Sequence, residues 1–177
     1  MINTNLLINS LFDRKFYVNF NVGNWVVNFS EGDLFELNRK LVNAKEKYPI
    51  IWLQSGYTER YRRDGRSVTL EGCNFFLITK GDVNDTYLRR YQTNYQGMLI
   101  PLFDRFLDTL AKAKGIDVLN GDISHVKLPF NDVSELTSKD ARKRYPQTAT
   151  VPDIWDAIVI NDLNLRINTD CYPMFNV

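Results

Sequence analysis

The residues of this 177-residue chain that could do chemistry fall into three groups. The first is acidic: Asp153 and Asp156 in "PDIWDA", followed by Asp162. A metal-dependent nuclease uses such carboxylates to hold a divalent cation, but it also needs a later acid beside a lysine, and none follows. The second group is single residues. His125, the one histidine, lies in "DISHVKL", where strand alternation makes it a rim side chain, and no cysteine or acid cluster surrounds it. Cys73 and Cys171 stand far apart without CxxC spacing, and Cys73 opens an apolar strand as a small core residue. The third group is "YTERYRRDGRSV", residues 57–68, in which Arg60, Arg62, Arg63 and Arg66 crowd one Asp-Gly pair beside Tyr57 and Tyr61. Guanidinium groups at this density bind carboxylates or phosphates, and tyrosines among them add stacking area.

Nothing else in the chain assembles a reaction. The glycines form no GxGxxG, GxxxxGK[ST] or GxSxG motif. Asp104 and Asp108 lie four apart on a helix, opposite its Leu/Phe stripe, as a solvated face does. The sequence therefore reads as that of a non-enzyme with no catalytic residues, no metal site and no cofactor. Net charge is +1, so no global field draws the chain to nucleic acid or to an anionic membrane. Within the arginine cluster Glu59 and Asp64 offset two of the four cations, which weakens the case for phosphate binding. Aromatic residues make up 13% of the chain, and Tyr57, Tyr61, Tyr87, Tyr91, Tyr95, Tyr145 and Tyr172 fall near the arginines or in loop segments. Tyrosine and arginine together are the composition enriched at protein interfaces.

The elements that must position these groups follow from periodicity. Apolar and charged fractions of 44% and 24% are those of an ordinary globular chain, and the length fits one domain over 1–177. Leu6, Leu7, Ser10 and Leu11 predict an N-terminal helix capped by Asn3 or Thr4. Val18, Phe20 and Val22, then Trp25, Val27 and Phe29, predict a hairpin turning at Gly23-Asn24. A helix over 33–46 opens on Asp33 with Glu36 three residues later. "PIIWLQ" and "VTLEGCNFFLITK" predict strands, the second covered on both faces, with the arginine stretch as a long hairpin arm between them. Residues 84–113 predict a long helix capped by Asn84, kinked at Pro101 or split near Gly97. "DISHVKLPF" and "DAIVINDLNLRIN" predict two more strands, the last with one wet face. Between them residues 131–153 are mostly polar, and a connection that long serves a partner. The sum is an α+β fold: a mostly antiparallel sheet of about four to six strands packed by two main helices. No run approaches the ~20 apolar residues of a membrane span, and "MINTNLLINSLF" lacks a signal peptide's basic start, so the expected site of synthesis is intracellular.

The segment order resembles a known family. "KYPIIWLQ", an arm, "CNFFLITKGDVNDTYLRRYQTNYQGMLIPLFDRFLDTLAK" and a closing "DAIVINDLNLRI" look like tail-terminator (tail-completion) and neck-ring proteins of tailed bacteriophages, in the form met in crAss-like and related phages of Bacteroidetes-type hosts. The most specific piece is "ITKGDVNDTYLRRYQTNYQGMLIPLFDRFLDTL"; the likeness covers 33–113 and 153–168 and leaves out the 13–30 hairpin and the 131–152 loop. The resemblance implies a structural virion protein, made in the host bacterial cytoplasm. It implies a homo-oligomeric ring, a hexamer or dodecamer, at the head–tail junction or the head-proximal end of the tail. Its partners would be adjacent neck, tail or portal rings, with genomic DNA passing through the lumen without sequence-specific contact. On that reading Arg60, Arg62, Arg63, Arg66, Tyr57 and Tyr61 contact the next subunit. The alternative of a different class is a small nucleic-acid-binding accessory protein using the same Arg/Tyr stretch.

Overall fold

The computed structural model describes residues 2–14, 17–20, 23–43, 48–82, 84–128 and 154–175. In chain order the elements are α1 (Thr4–Phe12), β1 (Tyr17–Phe20), β2 (Gly23–Val26), β3 (Asn28–Gly32), α2 (Leu34–Asn43), β4 (Ile50–Gln54), β5 (Thr58–Tyr61) and β6 (Ser67–Gly81). There follow α3 (Tyr87–Arg90), a π-helical stretch (Tyr91–Leu99), α4 (Ile100–Lys112), β7 (Ile116–Val118), β8 (His125–Leu128), β9 (Ile154–Asn168) and two 3-10 turns, Thr169–Cys171 and Pro173–Phe175. The fold is α+β, with a mixed, mostly antiparallel sheet packed by helices, as the periodicity predicts.

The sheet is broader than expected. Seven described strands belong to it, in the order β3-β4-β6-β9-β7, with β5 joined to β6 and β8 to β9. The surplus arises because β6 and β9 are fifteen residues each and pair along their length, so short strands find room beside each end. β6 lies at the centre with Phe75 and Leu77 facing one layer and Phe76 and Ile78 the other, all buried. On the first face α1 and the π/α4 helix close a core around Phe12, Phe75 and Phe106, whose rings sit 4.9–6.4 Å apart. On the second, α2 lays Leu37 and Leu41 over Trp52, Phe76, Ile78, Trp155, Ala157 and Val159. Its start is the expected capping box: Asp33 Oδ1 accepts from the Glu36 N–H at 2.8 Å and Glu36 Oε2 from the Asp33 N–H at 3.1 Å.

Three local expectations are corrected. The N-terminal hairpin pairs Phe20 with Gly23, so Gly23 and Asn24 lie in the ladder rather than in the turn, and residues 28–32 leave the hairpin to run parallel to β4. Period-2 alternation marks a strand but not its partner, and Phe29 stacks on Phe12 at 5.9 Å while its N–H donates to Asp13 Oδ1. The long helix starts later, at Thr86, whose hydroxyl accepts from the Arg89 N–H; Asn84 instead bonds Asp82 in the preceding turn. Pro101 is accommodated by a change of pitch. The Ile100 N–H reaches Tyr95 O, five residues back, and Pro101 then falls in the first turn of α4, where its missing N–H costs least.

Candidate functional site

The arginine stretch begins where β4 ends. Gly56 (φ 106°) lets the chain reverse, and Thr58–Tyr61 pairs antiparallel with Val68–Glu71. The turn closes on Asp64-Gly65: Gly65 (φ 69°) donates to Arg62 O, the Arg66 N–H to Asp64 Oδ1, and the Arg62 N–H to Ser67 O. The expected long arm is not a projecting arm. β9 accompanies β6 as far as Ser67↔Asn168, and Thr169 ties the turn down, its hydroxyl donating to Gly65 O at 2.8 Å and its N–H to Arg66 O at 3.0 Å. The stretch is an anchored edge of the sheet.

Strand alternation then separates the candidate residues. Arg60 lies on one face with Glu71, 2.7 Å away, and Arg62 pairs with Asp64 at 3.3 Å. Arg63 and Arg66 are exposed at the turn and enter no ion pair with a described residue. Tyr57 and Tyr61 do not join the arginines. Tyr57 is half-buried and donates to Asn5 Oδ1 at 2.8 Å, while Tyr61 donates to Glu59 Oε2 at 3.0 Å, and Thr4 donates to the other Glu59 oxygen. The tyrosine side of β5 is thus docked on the N-terminal helix.

Beside it opens a groove of about 540 Å³ lined by Glu31, Glu36, Glu59 and Tyr57. Burial first, then Glu36 and Glu59, raise the Glu31 carboxyl above the usual range, and Glu31 Oε2 is buried without a hydrogen bond. Burial first, then Glu31, push the Tyr57 hydroxyl up to about 12. The groove is a region of negative charge; its three acids come from β3, α2 and β5, and nothing in their sequence spacing announces that they meet.

The remaining candidates are dispersed. His125 is exposed, its ring 4.5 Å from that of Phe103. Asp108 pairs with Lys112 on the solvent side of α4. Asp162 (φ 56°) sits in the β6–β9 bulge, where its N–H donates to Asn74 Oδ1. Asp153, Tyr145 and the 131–152 loop lie outside the described residues. Asp156 is fully buried and neutralised: Arg90 Nη2 and Nε approach its two oxygens at 2.9 and 3.3 Å, and Asn94 Nδ2 donates at 2.6 Å. This network was not legible beforehand; its only trace is one charge inside the apolar run "WDAIVI". Next to it Tyr87, Tyr91 and Tyr95 follow one another at 6.3 and 5.9 Å, Lys127 lies 5.0 Å over Tyr91, and Tyr95 donates to Leu128 O at 2.6 Å. Burial, then the Asp156 charge, hold the Tyr95 hydroxyl well above its ordinary value.

Among the described residues no three His, Cys, Asp or Glu side chains gather as a metal set, and no helix is long and apolar enough to cross a membrane. No protein-family model, curated protein or solved structure matches this chain.

Proposed function

We propose that this chain is a structural virion subunit that assembles head-to-tail into a ring at the head–tail junction, or at the head-proximal end of a phage tail, around the path of the genome. The resemblance supplies the class. The observation that carries it further is the anchored turn: Asp64 and Thr169 hold its backbone at the end of the sheet, so the positions from which Arg63 and Arg66 project are set before any partner arrives. A turn with a fixed backbone loses little main-chain freedom on binding, and guanidinium forks match carboxylates of a neighbouring subunit. The nucleic-acid alternative is weakened by the tyrosines, because Tyr57 is half-buried and bonded to Asn5 of the N-terminal helix, and the Tyr61 hydroxyl is engaged by Glu59.

The test is R63A/R66A. Isolated-domain stability should change by no more than about 0.5 kcal/mol, as for exposed charges. Ring formation and head-to-tail joining should fail, and R63E/R66E should be worse than the alanine pair. Particles that join normally but leak or retain DNA, with steeply salt-dependent binding of single strands by the free protein, would restore the nucleic-acid reading.

A further inference from the structure

At the arginine end of the sheet four strands lie side by side in the order β5-β6-β9-β7. One row runs straight across them: Arg60 opposite Thr69, Thr69 opposite Arg166, Arg166 opposite Asp117. Residues directly opposite share a face, so this row lies on the face that α2 leaves bare here, with Arg60, Arg166 and Asp117 exposed. The rows on either side, Tyr61–Val68–Ile167–Ile116 and Glu59–Leu70–Leu165–Val118, turn inward, with their four central residues fully buried. The same row thus carries a cation at one outer edge and an anion at the other. Among the described residues no strand pairs with the outer side of β5 or of β7.

We propose that the β5 edge of one copy adds to the β7 edge of the next, so that the sheet runs on from subunit to subunit with Arg60 beside the neighbour's Asp117. This rests on the ring reading and names the contact that builds the ring. Two further features fit. Strand direction is right: β5 is antiparallel to β6 and β7 runs parallel to β6, so the added pair is antiparallel. Hydrogen-bond parity is right as well. The bonds Arg62 N–H to Ser67 O, Asn168 N–H to Gly115 O and Leu119 N–H to Asn164 O turn the backbone groups of Arg60 and Asp117 inward. Those of Glu59, Tyr61, Ile116 and Val118 consequently point outward, which are the residues that meet when the rows continue. The Ile116 N–H is already bonded to Ala113 O, which leaves three backbone bonds for the junction. Arg60 and Asp117 then form a non-hydrogen-bonded pair, the kind whose side chains approach most closely.

Self-pairing of β5 about a two-fold axis is disfavoured by the same parity. Each allowed register sets like charges opposite one another: Glu59 on Glu59, Arg60 on Arg60, or Arg60 on Arg62. A head-to-tail junction avoids all three, and repeated junctions of that kind close a ring when the rotation from copy to copy divides a full turn.

The experiment is a disulfide bridge, R60C/D117C in a C171S background, oxidised after assembly, with D117R and the charge swap R60E/D117R compared by native mass spectrometry. The pairing predicts a ladder of covalent multimers ending at the closed ring. It also predicts assembly about ten-fold weaker in D117R and largely restored in the swap. Rings that form without 60–117 crosslinks, or a swap that folds as the parent does yet assembles no better than D117R, would overturn the edge pairing and leave the ring intact. A chain that stays monomeric at high concentration, and single-copy in particles, would overturn the ring itself.

Discussion

Replacing Asp156 by alanine should unfold the protein more readily than any change to the arginine turn. The carboxylate is fully buried and takes three donors, two from Arg90 and one from Asn94, at 2.6–3.3 Å. Its removal takes the Asp156 carboxylate away from a guanidinium whose side chain is 8% exposed. Breaking one half of such a pair costs about 3–5 kcal/mol, a large share of the ~5–15 kcal/mol that holds a domain together. For a chain of this length that corresponds to a fall in Tm of roughly 6–20 °C. Urea unfolding followed by far-ultraviolet circular dichroism measures it, with an unchanged slope showing that the transition stays cooperative. The double variant R90M/D156L should lose far less than the sum of the single changes, because well-packed apolar groups replace a buried pair at little cost. A D156A protein within about 1 kcal/mol of the parent would show that water reaches the pair and would refute the reasoning.

Three further outcomes are expected. At about pH 8 iodoacetamide should modify Cys171 and spare Cys73 until the chain unfolds, since burial pushes the Cys73 thiol up to about 12; mass spectrometry of the labelled peptides reads this. Gly115→Ala should cost about 1–3 kcal/mol, because φ is 80° and the new methyl would stand 2.6 Å from Cys171 Sγ and 2.8 Å from Cys171 Cβ; adding C171A should recover only a fraction of the loss, since the Cβ contact and the strained φ remain. Glu31 has a raised folded-state pKa, so the stability linked to its protonation is complete below the ordinary value of 4.5 and is lost as pH rises through the folded value. E31Q should therefore melt above the parent near neutral pH, with the gap closing as the solution is acidified toward the unfolded value.

How far the sequence reveals the molecule depends on the range of the interaction. Local signals were legible: the Asp33/Glu36 box, the two apolar faces of Phe75–Ile78, the Asp64-Gly65 turn and the Leu102/Phe106/Leu110 stripe are each written within a few positions. Pairing was not. Alternation over Trp25, Val27 and Phe29 states that a strand exists, whereas its departure to β4 is decided by Phe12 and Asp13 from another element. The same holds for the site. The arginines were visible as a cluster, but the direction of Tyr57 and Tyr61, the meeting of Glu31 with Glu59, and the Arg90–Asp156 pair all depend on which strands adjoin.

The central pairing of β6 with β9 also governs how the chain must fold. Even its nearest rung, Gly81 with Ile154, cannot form until the whole of residues 82–153 has been drawn into a loop, and Ser67 with Asn168 encloses still more. Closures of that length make folding slow, because chain entropy is lost before the contact compensates it. During synthesis β6 can pair with β4 and β5 on one side as soon as it emerges, while its other edge waits for β9. That edge carries "CNFFLI", an uncharged, β-prone run of the kind that associates between chains. The bulge at Gly72, with its φ of 73°, interrupts the flat edge at the start of this run and limits what a second nascent chain could copy. Yield and solubility should consequently respond more to the rate of synthesis than to final stability, with slower, cooler expression giving β9 time to arrive.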